Sequence, residues 1–519
     1  MSDHMFDIRY RRGLPDALRS MQDEVEKIAR EAGLDFFPVV FEMVEPEEMS
    51  MLAAYGGFPS RYPHWRFGME FEQLNKSYVY GLSKIYEMVL NTDPCYAYLM
   101  NCNMDVDQKL VMAHVYGHCD FFKNNMWFGH TNRKMLDAMA NHATRVRRII
   151  DRFGTDKVEE FIDCCLSVEN LIDVHAAAIR RQADTEDPIR EALRARRADG
   201  EDPELPDAAH FKAEVDRSYL DSYVNPPEAV EARRKRALQA SLKEERHPVH
   251  PERDVLGFIL AHAPLHGWEA DLLAIIRDEA LYFAPQGQTK IMNEGWATFW
   301  HTKLMTEQLA TADEIVDYAD HHSGTVAQSP YRLNPYKLGV ELFRDLERRW
   351  DTGRHGPEFE ACDDMTRKRE WFVDERGGLQ KVFEVRRIYN DLQFVDAFLT
   401  EDFCREHGFF AYGYDTRNKQ YVIESRQFGE VKNKLLDQLT NFGQPIIDVV
   451  DGNHDNRGEL RLKHAHTGSD LKLDWAESTL RNLTRLWKRP VVLDTVLDAK
   501  PSRLRHDGES FERSRIEED

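Results

Sequence analysis

Between Ala113 and Phe122 the chain reads Ala-His-Val-Tyr-Gly-His-Cys-Asp-Phe-Phe, and few structures accommodate such a run. Helical spacing puts His114 and His118, one turn apart, on the same face. The apolar and aromatic residues around them call for burial, so this helix belongs in a core, where two imidazoles need partners. A histidine pair at i,i+4 is also how the H-E-x-x-H metallopeptidases hold zinc. Val115 stands where those enzymes keep the glutamate that serves as general base.

A second run, Met292-Asn-Glu-Gly-Trp-Ala-Thr-Phe-Trp-His301, is equally apolar and aromatic. Its Glu294 and His301 lie two turns apart and share one helix face. Packed together, the two helices would converge His114, His118 and Glu294 into a site with three protein ligands and an open position, the arrangement of catalytic zinc. His301 is then a fourth ligand or a partner behind one. Two imidazoles and a carboxylate also suit iron or manganese, so zinc is the first expectation and these are its alternatives.

Several function classes fall away on composition. A chain of 519 residues has room for two or three domains and a large core. Its net charge of −22 speaks against a nucleic-acid partner, because phosphate neutralisation needs clustered lysine and arginine. No apolar stretch is long enough to span a bilayer, so no membrane insertion is expected. The polar start Met1-Ser-Asp-His-Met-Phe-Asp7 carries no apolar signal region. Seven cysteines without a C-x-x-C pair read as reduced thiols. A cytoplasmic protein is the expectation.

Helical spacing covers 14–32, 69–90, 107–124, 132–152, 158–181 and 254–281, with extended segments at 35–42 and 95–100. Glu169 and Asp173, four apart in the 158–181 helix, are candidates for carboxylates behind the ligand histidines, or else a solvated face. A charged stretch at about 182–254 reads as an insertion. From 419 onward the order strand, helix, strand, strand, helix, strand predicts a small ferredoxin-like (βαββαβ) domain. The fold class expected is α+β. A mainly helical, zincin-like metal-site domain occupies 1–400, the α+β C-terminal domain 405–500, and a disordered tail 501–519.

Five runs carry a resemblance: His64-Trp-Arg-Phe-Gly68, Ala113 through Asn125, Asn293-Glu-Gly-Trp-Ala297, Leu333-Asn-Pro-Tyr-Lys-Leu-Gly339 and Asn456-Arg-Gly-Glu-Leu460. Over nearly the whole chain they resemble the SpoVR (stage V sporulation protein R) family, although Cys119 replaces the asparagine more often found there. The resemblance implies a bacterial cytoplasmic protein linked to spore cortex assembly or stress response. It also implies association with a PrkA-type serine kinase and a von Willebrand-type protein as partners. The Glu-Gly-Trp-Ala run is similar to the third-ligand helix of gluzincin-type peptidases, which supports Glu294 as a ligand. His321, Tyr331 and Tyr336 are candidates for stabilising an oxyanion, and Asn124 and Asn334, within these runs, for binding substrate. Two readings stay open: a metal-dependent hydrolase of peptide or amide bonds, and a non-catalytic regulatory or scaffolding protein with a structural or vestigial metal site.

Overall fold

The computed structural model describes residues 13–79, 87–176, 225–233, 248, 250–327, 333–415 and 417–516. The chain forms two compact units, one from 1–163 with 271–444, the other from 164–270 with 445–519. Most of the charged insertion expected at 182–254 lies outside the described residues.

The first unit is built on helices at Asp16–Glu31 (α1), Asp105–Asn124 (α2) and Lys290–Leu304 (α3). Every residue of α2 from Val111 to Phe122 is buried, as a helix apolar on all sides must be. Gly117 lets α3 approach, since a Cβ there would sit 2.8 Å from Ala297 Cα. Beyond α3 follow Ile315–Thr325 (α4) and Pro335–Asp351 (α5). On its other side α3 meets α5 at Gly295 and Gly339, where a Cβ on either would run into the other's backbone. The sequence runs around these glycines are thus two faces of one three-helix sandwich.

A small sheet flanks α2, with strands Val39–Val44 (β1), Glu87–Leu90 (β2) and Cys95–Met100 (β3) in the order β1-β3-β2. β1 runs parallel to β3, and β2 antiparallel to it, pairing Glu87 with Leu99 and Leu90 with Tyr96. A single helix over 69–90 was the wrong expectation, because Trp65–Val79 is helical and 87–90 is a strand. The apolar run Met88-Val89-Leu90 leads into the turn Asn91–Pro94 and pairs with the aromatic strand after it. That hairpin outweighs the local helical spacing.

Helices Gly378–Ile388 (α6), Asp391–Phe398 (α7) and Phe428–Leu439 (α8) also belong to the unit, with a hairpin of Ala411–Asp415 (β4) and Gln420–Ser425 (β5). In the second unit, Ile447–His454 (β6), Glu459–His464 (β7), Val491–Leu497 (β8), Lys500–His506 (β9) and Phe511–Arg515 (β10) form one sheet, ordered β10-β9-β8-β7-β6. The helix Leu473–Trp487 (α9) connects the parallel pair β7 and β8.

The architecture is α+β, but the C-terminal part is not ferredoxin-like. The expected first strand and helix (β5 and α8) belong to the first unit, and β5 pairs only with β4 among the described strands. The expected tail from 501 is instead β9 and β10. Charged composition concealed a period-2 pattern in which Ser502, Leu504 and His506 are buried. Asp498 and Ala499, both at positive φ, make the two-residue turn that returns β9 along β8. Among the described residues no helix is long and apolar enough to cross a membrane.

Candidate metal centre

The face that α2 turns toward α3 carries His114 and His118, with rings 4.5 Å apart and nearly perpendicular. Both are buried. The N-terminus of α3 is fixed by Asp391 of α7, whose carboxylate accepts the backbone N–H of Ile291 at 2.7 Å and of Met292 at 2.8 Å. This sets the next two residues, Asn293 and Glu294, against the imidazoles. Glu294 Oε2 lies 3.8 Å from His114 Nε2 and 3.5 Å from His118 Nε2. Glu87, on β2, brings a second carboxylate 3.6 Å from His114 Nε2. Glu87, His114 and His118 each offer a ligand atom, all within 4.8 Å of one another.

The outward nitrogens of the two imidazoles are tied down. His118 Nδ1 is 2.9 Å from Asn293 Oδ1, and His114 Nδ1 is 2.9 Å from His301 Nδ1. Tyr336, in the first turn of α5, stacks over His114 at 6.2 Å and helps to lower the pKa of Glu294. Facing inward, His114 Nε2 and Glu294 Oε2 are buried without a hydrogen-bond partner. Buried polar atoms are rarely left so, and two imidazole nitrogens with a carboxylate oxygen are the donor set that zinc, iron or manganese takes. The residues fit a divalent cation.

The electrostatics divide the groups. Burial and the neighbouring His114 push His118 down to about 4, so it stays neutral. For His114, burial opposes protonation, but Glu87 and Glu294 outweigh it and raise its pKa. Burial raises Glu87, with His114 pulling back. Glu294 ends below the ordinary range, because His114, His118 and Tyr336 outweigh its burial.

The SpoVR like protein family model matches residues 14–444, and the SpoVR-like C-terminal domain model matches 445–498. The chain belongs to the SpoVR family. It is 30% identical over 502 residues to a protein of Escherichia coli (strain K12) called "Uncharacterized protein YcgB", an alignment covering 91% of this chain and 90% of that one. No solved structure matches the chain. The family boundary at 444/445 coincides with the start of the C-terminal segment of the second unit.

Of the residues singled out in this SpoVR chain by sequence, the structure brings together His114, His118, Glu294 and Tyr336. His301 stands behind His114, its second ring nitrogen 3.3 Å from His322 Nδ1. His321 pairs with Asp107. Asn334 caps α5, accepting the N–H of Tyr336 at 3.0 Å and of Lys337 at 3.3 Å, and so holds Tyr336 rather than a substrate. Asn124 donates to the backbone oxygens of Asp35 and Asp120, each at 2.8 Å. Tyr331 lies outside the described residues. Glu169 and Asp173 follow a helix that ends at Leu166, in the chain of the second unit, so their helical spacing does not exist. Asp173 accepts the backbone N–H of His175 at 2.9 Å.

Sequence reasoning missed Glu87, Asn293 and His322. Reading Glu87–Leu90 and Cys95–Met100 as a hairpin was the available signal for Glu87. Asn293 was adjacent to a nominated ligand. His322 had no signal beyond its neighbour His321.

Proposed function

We propose that this SpoVR protein is a metal-dependent hydrolase of amide bonds in peptide-like substrates. Its helical unit is zincin-like in working design, with zinc the favoured ion, held by His114 Nε2, His118 Nε2 and Glu294. The observation that carries the reading is the convergence of these three groups at 3.5–3.8 Å, with two of the converging atoms buried and unpaired. Bound in such a set, zinc supplies a Lewis acid that polarises a carbonyl and acidifies a water.

Glu87 supplies the carboxylate missing at Val115. It comes from the strand rather than from the helix and lies 3.6 Å from His114 Nε2, while Glu294 lies within 3.8 Å of both imidazoles. Burial makes it a better proton acceptor than an ordinary glutamate. In hydrolysis the water oxygen joins the carbonyl carbon and its proton goes to Glu87. The C–N bond then breaks and the proton passes from Glu87 to the leaving nitrogen. Tyr336, beside Glu294, favours its ionised form. The side chains of Glu87 and Glu294 keep 18% and 19% exposure, against 5% or less for the imidazoles. The carboxylates are thus the more accessible members of the set, which supports a catalytic site over a closed structural one. Peptides of the cell wall are the substrate class that the family's link to the spore cortex points to.

The test is release of new amines from a panel of peptides and wall fragments by the zinc-loaded protein. Glu87→Gln is expected to lower turnover roughly 10²–10⁴-fold with zinc content unchanged. Equal turnover by the wild type and Glu87→Gln, or no amine released by the wild type, would overturn the reading.

A further inference from the structure

Two imidazoles stand in series behind His114, on its side away from the carboxylates. His114 Nδ1 is 2.9 Å from His301 Nδ1, and His301 Nε2 is 3.3 Å from His322 Nδ1. His114 and His301 are each 2% exposed, and His322 is half-buried on α4. Tyr318 fixes the outer two rings, stacked on His322 at 5.7 Å and edge-on to His301 at 6.4 Å.

A neutral imidazole has one N–H and one lone pair, so each ring's tautomer dictates the next. If His114 turns the lone pair of Nε2 toward Glu294, its proton is on Nδ1 and is donated to His301 Nδ1. His301 must then carry its proton on Nε2 and donate it to His322 Nδ1. His322 is left with its N–H on Nε2. Reversing the order puts a proton on His114 Nε2, where it would block a cation. His118 reaches the same state by a shorter route, because Asn293 Oδ1 can only accept and so holds the proton on His118 Nδ1.

We propose that His301, steadied by His322, is a positioning residue that sets the tautomer and ring orientation of His114, and so presents its Nε2 lone pair to a divalent cation. The inference rests on the metal-centre reading, and it assigns to α3 a threefold task. Asn293 orients one ligand, Glu294 is a ligand, and His301 orients the other. Partners that fix a ligand imidazole typically govern metal affinity 10–100-fold.

The experiment measures Zn²⁺ dissociation constants by chelator competition, and the visible spectrum with Co²⁺, for the wild type, His301→Leu, His301→Asn and His322→Ala. Thermal denaturation of each metal-free protein runs alongside. His301→Leu is expected to weaken Zn²⁺ binding roughly 10–100-fold and to alter the Co²⁺ spectrum. His301→Asn, whose Oδ1 takes the place of Nδ1 as acceptor, is expected to restore most of the affinity, and His322→Ala to show a smaller loss than His301→Leu. Wild-type affinity and spectrum in His301→Leu would overturn the inference while leaving the metal centre standing. So would a His301→Asn that binds as weakly as His301→Leu. If His301→Leu does not fold, wild-type affinity in His322→Ala together with weak binding by a folded His301→Asn overturns it. A wild type that binds neither ion overturns the metal centre, and the inference with it.

Discussion

Asp120 and Glu294 are two carboxylates between α2 and α3, in opposite surroundings. Asp120 points to the side of α2 away from the histidines. Its oxygens accept the backbone N–H of Asp35 and the indole N–H of Trp296, each at 2.8 Å, and it pairs with Arg386 of α6 at 2.9 Å. Each oxygen has a donor, and a guanidinium supplies the countercharge. Glu294 has imidazoles and a tyrosine around it, and one of its oxygens is buried and unpaired. A satisfied buried carboxylate ties helices together. One with a buried oxygen unpaired, beside two imidazole nitrogens, has room left for a cation.

The widest separation should come from removing the satisfied group. Asp120→Ala strands Arg386 and the Trp296 indole in the core and is expected to cost about 3–5 kcal/mol of unfolding free energy, with metal bound per folded molecule unchanged. Denaturant unfolding with metal analysis of the folded fraction checks both halves, and a metal loss larger than the stability loss would blur the distinction.

The helix contact that joins the two regions comes next. Gly117→Ala forces a methyl toward Ala297 Cα and is expected to cost about 1–3 kcal/mol. It should weaken metal binding as well, because His114, His118 and Glu294 share that crossing. Calorimetric titration against thermal stability reads the two effects together.

A much smaller change is expected at the unsatisfied group. Glu294→Gln should cost the metal-free protein about 1 kcal/mol or less, since only the imidazole contacts that hold its pKa down are lost, while abolishing the gain that zinc gives the wild type. A loss of metal-free stability comparable to that of Asp120→Ala would break the comparison.

The second unit offers a milder case of the satisfied kind. Asp494 is 2.7 Å from both Arg461 and Arg503. Burial would raise its pKa, but hydrogen bonds from these two guanidiniums outweigh it and hold it below the usual range. With a depressed folded pKa, its contribution is present above the unfolded value near 3.9 and fades as pH falls through the folded one. Acid titration of unfolding should show a loss below about pH 4 that Asp494→Asn lacks.

Much of the helical core was legible, because its cues are local. Two histidines one turn apart and a glutamate two turns from a histidine declare their faces, and apolar surroundings on every side declare burial. Helix phase alone separated Asp120 from His118. What stayed hidden was set by pairing at a distance. Glu87 becomes part of the centre only because its strand pairs with Cys95–Met100, and the helical spacing of 69–90 gave the contrary signal. The β9 strand was hidden by charge on its solvent side, and β5 is paired by β4 before it, not by the sheet after it. His301 was placed on the right face, but that its ring would stand behind His114 depends on α4 bringing His322 to its other side.

The most direct measurement is metal content of the purified wild type beside His114→Ala and Glu294→Ala, each confirmed folded. About one equivalent of a divalent transition metal per wild-type chain, falling to background in both variants, is the predicted result. Equal metal in all three, or none in the wild type, would contradict it.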